Sequence, residues 1–291
     1  MELFLPARQP FVLSSVITSH GWVQLAPFSS DEQYETLRYV TELESGDVIS
    51  IFVQEAHQGV RVEVEGVLRA ETQRELADKI AWMLGLDMNF STFYPVALGE
   101  PKLATAAERA RGRILRSATI FEDVVRTILT TNTTWGGTKR MVKALVDLYG
   151  APISSDSDVK AFPIAERLAQ ADVDTLRKDG KLGYRAPYVL SLAQRIASGE
   201  LDLEALKSNS LPTLELRKRL LQINGVGPYA AANLLMLLGH YDYIPIDSWA
   251  LKMVSNEFYG GEPITPKEVE AAFERWGEWR GLAFWLWEWS E

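Results

Sequence analysis

Two stretches of the 291-residue chain combine residue types and spacings that could do chemistry. The first is Leu220-Leu221-Gln222-Ile223-Asn224-Gly225-Val226-Gly227-Pro228-Tyr229-Ala230. A helical pattern runs into Gly225-Val226-Gly227, and a second helix is expected to open at Pro228, whose preset φ suits a first turn. Two glycines two apart permit a tight hairpin with positive φ. The N–H groups at the start of the second helix would then face an anion, and a DNA phosphate fits that description. The second stretch is Tyr243-Ile244-Pro245-Ile246-Asp247-Ser248-Trp249. Asp247 follows Pro245 and precedes a helical run, so it is expected at an N-cap. N–H bonds and the helix dipole favour an ionised carboxylate there, which could stabilise a developing sugar cation or orient a water. Taken singly, a Gly-x-Gly is usually only a turn and a capping Asp only a cap. Their succession along the chain is what makes both informative.

The elements that must position these residues fall into two parts. Residues 1–100 hold 6 Lys and Arg against 15 Asp and Glu, while residues 101–291 hold 24 of each. The formal net charge of −9 therefore sits in the N-terminal third, and a local basic face on the remainder is compatible with a polyanionic partner. Val12–Thr18, Asp47–Gln54 and Val60–Val67 are expected to be strands, the last from its period-two alternation. Thr72–Leu86 places Leu76, Ile80, Met83 and Leu84 on one helical stripe. Beyond residue 104 the pattern is helical. Thr119-x-x-Glu122 predicts a capping box, and further helices are expected over Trp135–Tyr149, Arg185–Ser198, Leu211–Gln222, Tyr229–Leu238, Ser248–Phe258 and Arg280–Trp289. Thr265-Pro266-Lys267-Glu268 is another helix start. The expected fold class is α+β: an antiparallel sheet domain over residues 1–100, then an all-α domain over residues 101–291.

Cysteine is absent, which excludes a disulfide framework and an iron–sulfur cluster, and with only three His a His-rich metal site is not expected. No apolar run approaches a membrane span, and no secretory signal is visible, so an intracellular location without membrane contact is expected; a monomer is expected as well.

Hairpin, helix, proline-bearing loop and Asp, in this order, resemble the helix-hairpin-helix (HhH-GPD) DNA glycosylases. Three other segments are similar to family segments: Phe121–Asn132, Lys181–Ala186 and Trp279–Ala283. The acidic front part resembles the N-terminal domain of bacterial 3-methyladenine DNA glycosylase II and of 8-oxoguanine glycosylases. The resemblance implies damaged double-stranded DNA as partner and Asp247 as the essential acid. It also implies an aromatic base pocket with Tyr229, Asn233 and Trp285. Gly225, Val226, Gly227, Arg217 and Lys218 would track the DNA backbone, and Asn132 would enter the duplex. No cofactor would be required. The carbonyls of Leu221, Ile223 and Val226 would hold a structural Na⁺ or K⁺.

Members that also cut the strand carry a Lys nucleophile where this chain has Tyr229, so a glycosylase without lyase activity is expected. Tyr229 resembles the aromatic wall of the alkylated-base enzymes, whose π face suits cationic N-alkylpurines. Asn132 instead resembles the residue that 8-oxoguanine enzymes place there. Excision of alkylated purines is the first reading and of oxidised purines the second. A non-catalytic DNA-binding module, or a helical protein with a fortuitous turn, are the readings outside enzymology.

Overall fold

A computed structural model describes residues 1–208 and 211–289. Its class is α+β, with a five-stranded antiparallel sheet preceding a helical region. The strands are β1 (Glu2–Pro6), β2 (Ser29–Ser30), β3 (Thr36–Glu42), β4 (Val48–Ala56) and β5 (Gly59–Val64), in the order β1-β5-β4-β3-β2. The alternation read in the sequence is real. Val60, Val62 and Val64 are buried while Arg61 and Glu63 are exposed. Across β3 and β4, Leu37 opposes Val53 and Tyr39 opposes Ile51, all buried, while Arg38 opposes Phe52 on the other face.

One expected strand is a helix. Within Val12–Thr18 the chain forms a short helix, Leu13–Ile17. The N–H of Leu13, an orphan at a helix start, is taken by the Glu55 carboxylate at 2.6 Å, and Thr18 Oγ1 donates to the Ser14 carbonyl at 2.7 Å. These partners override the β preference of Val12, Val16 and Ile17.

The helices of seven residues or more are α1 (Ala70–Leu84), α2 (Ile120–Thr130), α3 (Trp135–Tyr149), α4 (Ala186–Ala197), α5 (Thr213–Leu221), α6 (Pro228–Leu237), α7 (Ser248–Phe258), α8 (Pro266–Ala272) and α9 (Arg280–Leu286). The chain divides into two compact units, residues 1–88 with 113–209, and residues 89–112 with 210–291. This division differs from one at residue 100, because the sheet is tied to α2. Tyr39 donates to Glu122, which also takes two bonds from Arg126. Arg126 donates onward to the carbonyl of Ala26 at 2.9 Å and lies over the rings of Phe28 and Phe162. Trp22 Nε1 donates to Asp123 at 2.8 Å. All of α2 from Ile120 to Leu129 is buried. Thr119 caps it by accepting the Glu122 N–H at 3.2 Å, but the Glu122 carboxylate serves Tyr39 and Arg126 rather than closing a capping box. Burial pushes the carboxyls of Glu122 and Asp123 up, against the nearby Arg126.

In the second unit the aromatic C-terminus packs on itself. Phe273, Trp276, Phe284 and Trp287 are buried; Phe273 meets each of the other three, and Trp276 meets Trp287, in edge or tilted contact. Thr265 and Glu268 form the expected capping box of α8. Among the described residues no helix is long and apolar enough to cross a membrane.

Candidate active site

Helices α5 and α6 form the hairpin anticipated from Gly225-Val226-Gly227. The turn closes with the Val226 N–H on the Ile223 carbonyl at 3.0 Å, and Gly225 takes φ of +89°, a left-handed geometry that favours glycine. Val226 is buried and plugs the turn into the unit. Gly227 is the N-cap of α6 in extended backbone, and Pro228 opens the helix. A Cβ at Gly227 would meet nothing within 4 Å.

Helix α6 buries Ala230, Ala231, Ala232 and Leu234 to Leu237, leaving Tyr229 and Asn233, one turn apart, half-buried. Asn233 Nδ2 donates to the Tyr229 carbonyl at 3.1 Å. Asp247 is the N-cap of α7, as expected, and its Oδ1 accepts the Ala250 N–H at 2.8 Å. The carboxylate is exposed, and among the described residues its second oxygen has no hydrogen-bond partner. Tyr229 and Asn233 share one face of α6, and the charge of Asp247 reaches the Tyr229 phenol. Burial first, and then the negative charge of Asp247, hold the Tyr229 phenol above its ordinary range, with the Asn233 amide acting the other way.

The loop that carries Asp247 is braced from behind. Tyr241 stacks on Trp279 with centroids 5.4 Å apart, and its carbonyl accepts the Gly281 N–H at 2.7 Å. Gly281 approaches so closely that a Cβ there would lie 2.4 Å from the Tyr243 carbonyl oxygen. Ile244 and Pro245 are buried, and the chain then surfaces at Asp247. Trp285, half-buried on α9, lies one turn beyond Gly281 on the same helix face.

The basic run before the hairpin splits. Lys218 is exposed, 3.8 Å from Glu215. Arg217, expected along the DNA backbone, is half-buried and has its guanidinium 4.9 Å from the centroid of Tyr243. Helical periodicity turns it away from Lys218. Sequence reasoning did not single out Tyr243 as its partner, because nothing local marks the pairing. Trp249, two residues past Asp247, is half exposed, with its edge toward Phe284 and Trp289.

Asn132 belongs to the first unit, in the loop between α2 and α3. It is exposed with φ of +48°. The buried Arg185 holds this loop by donating to the carbonyls of Thr131 and Asn132. Thr134 caps α3 at the Gly137 N–H, and Thr138 Oγ1 donates to the Leu129 carbonyl. The polar tip is thus a fixed backbone shape.

A capping carboxylate that follows a glycine hairpin along the chain points to a class of protein, and comparison with known proteins shows that class. The chain belongs to the HhH-GPD superfamily of base excision DNA repair proteins, whose model matches residues 125–278. Its activity is that of a base excision repair DNA glycosylase. It is 27% identical to a DNA-3-methyladenine glycosylase of Bacillus subtilis over 223 residues, 74% of this chain and 72% of that protein. The fold matches a 3-methyladenine DNA glycosylase from Archaeoglobus fulgidus with a TM-score of 0.76 at 22% identity, covering 98% of this chain and 97% of the other. It also matches an 8-oxoguanine glycosylase/lyase from Clostridium acetobutylicum with a TM-score of 0.72 at 20% identity, covering 98% and 94%.

Proposed function

We propose that this glycosylase releases N-alkylated purines from double-stranded DNA by hydrolysis, without cutting the strand. The observation that carries the reading is an exposed carboxylate, Asp247, at the N-cap of α7, its charge reaching the half-buried Tyr229 at the start of α6. The bond from C1′ to the base nitrogen breaks with its electron pair passing to the base. An N-alkylated purine already bears a positive charge, so it leaves neutral and needs no proton donor. Tyr229, held protonated, is a poor acid but offers a π face to that cation. The Asp247 carboxylate stabilises the sugar cation, and water then adds to C1′ and loses a proton. A Lys at position 229 would supply an amine for a Schiff base; the Tyr here cannot, which supports the absence of lyase chemistry.

DNA would be gripped through the N–H groups that open α6, with Lys218 adding charge. Asn132 would occupy the space left by the extruded nucleotide. The carbonyls of Leu221, Ile223 and Val226 are hard oxygen donors that suit a monovalent cation. The Ile223 oxygen keeps one lone pair after accepting the Val226 N–H. Such an ion would add positive charge beside the phosphate. Among the described residues no cluster of His, Cys, Asp or Glu has metal-holding geometry.

The test is release of free base from methylated duplex DNA. Asp247→Asn is expected to lower the single-turnover rate at least about 100-fold, and nicking should require alkali. Full activity of the Asn variant refutes the role of Asp247. A second reading, oxidised-purine excision, is favoured by the polar, fixed Asn132. A duplex with one 8-oxoguanine separates the two.

A further inference from the structure

The inward turn of Arg217 has a structural consequence for Asp247. Its guanidinium lies over Tyr243, and its Nε is sealed from solvent with no hydrogen-bond partner among the described residues. An orphaned guanidinium nitrogen is costly, so this placement persists because the ring face attracts the cation and the rest of the loop holds Tyr243 in place. The Tyr243 carbonyl is pressed against Gly281, and four residues later the chain presents Asp247. Arg217 itself sits on α5, the first helix of the hairpin, one turn before Leu221. It is thus a direct side-chain contact from the hairpin helix to the loop of the carboxylate.

We propose that Arg217 is a positioning residue: by stacking on Tyr243 it fixes the spacing between the hairpin that grips the DNA backbone and the carboxylate of Asp247. The proposal rests on the reading of Asp247 as the reactive carboxylate. It makes a prediction opposite to that of an Arg on a phosphate. Loss of a phosphate contact weakens binding and lowers the slope of log affinity against log salt by about one. Loss of a positioning contact slows the chemical step and leaves binding and its salt slope unchanged.

The experiment uses the full chain with enzyme in excess, on methylated or 8-oxoguanine duplex, whichever the wild type cuts. Binding to a duplex bearing a tetrahydrofuran abasic analogue is measured across a salt series. Arg217→Met is expected to slow the chemical step about tenfold, in line with loss of a partly desolvated cation–π contact, with unchanged affinity and salt slope. Tyr243→Leu should slow it equally, and the double variant should be no slower than either single one. Arg217→Lys and Tyr243→Phe, which keep a cation over a ring, should recover most of the rate and so separate positioning from folding. A full rate in Arg217→Met, a salt slope lowered by about one, an additive double variant, or a Lys variant as slow as Met would each overturn the proposal. Asp247→Asn is run alongside: if it keeps full activity, the reading beneath the proposal fails, whatever Arg217 does.

Discussion

Gly281→Ala tests how rigidly the carboxylate is held. The added Cβ would lie 2.4 Å from the Tyr243 oxygen and 2.8 Å from the Tyr241 oxygen. An ordinary contact between carbon and oxygen is about 3.4 Å, so the loop must retreat by roughly an ångström. Neither obstacle is the end of a flexible side chain; both are backbone. Retreat would also stretch the 2.7 Å bond from the Gly281 N–H to Tyr241. The strain of overpacking is worth about 1–3 kcal/mol. Between Tyr243 and Asp247 the buried Ile244 and Pro245 leave little slack to absorb the shift. A misplacement of about 1 Å at a reacting group can cost about 100-fold in rate. Thermal unfolding and single-turnover base release on the same preparation read the two effects. A stable variant slowed by one to two orders of magnitude, about what such a displacement costs, is the expected outcome. A variant destabilised by that amount but catalytically unimpaired would show that the loop yields without moving Asp247, and the bracing argument would fail.

Gly227→Ala separates the fold's needs from the ligand's. Its backbone is extended and its Cβ would meet nothing, so stability should change by at most about 1 kcal/mol, while affinity for duplex DNA falls in a binding titration. Arg126→Met should destabilise by about 3–5 kcal/mol in denaturant unfolding, because it strands Glu122 in the interior. His20, its Nε2 2.6 Å from the Leu115 carbonyl, has a pKa lowered to about 4 by burial first, with Arg126 also opposing its charge. Between about 4 and its ordinary value of 6.5 the unfolded chain binds more protons at this site, so His20's contribution is intact above pH 6.5 and is lost as pH falls toward 4, up to about 3 kcal/mol. Melting temperatures across that range should fall more steeply for the wild type than for His20→Gln. Glu122 and Asp123, whose carboxyls are raised, act with the opposite sign in both proteins and cancel in that comparison.

The parts of this molecule that were legible in the sequence are those whose physics is local. Gly225, Pro228 and Asp247 each answer to the backbone within three residues: a positive φ, a first helical turn, an N–H to cap. The β5 alternation is local too, since each side chain points to one face or the other. What was not legible depends on partners far along the chain. Val12–Thr18 has strand-forming residues, but Glu55, 42 positions beyond Leu13, supplies the acceptor that makes it a helix. Thr119-x-x-Glu122 has the spacing of a capping box, yet the glutamate answers to Tyr39, 83 positions earlier, and to Arg126. Arg217-Lys218-Arg219 looks like one solvated basic face, and composition cannot divide it; the helix does, giving two side chains to water and one to Tyr243. The same division explains why the chemistry was more visible than its support. A reactive carboxylate must be exposed to its substrate and so is held by a cap beside it in sequence, whereas the residues that aim it act through packing. Packing draws on whatever the fold brings near: Tyr243 meets the Arg217 guanidinium through its ring and Gly281 through its carbonyl, and neither neighbour lies beside it in sequence.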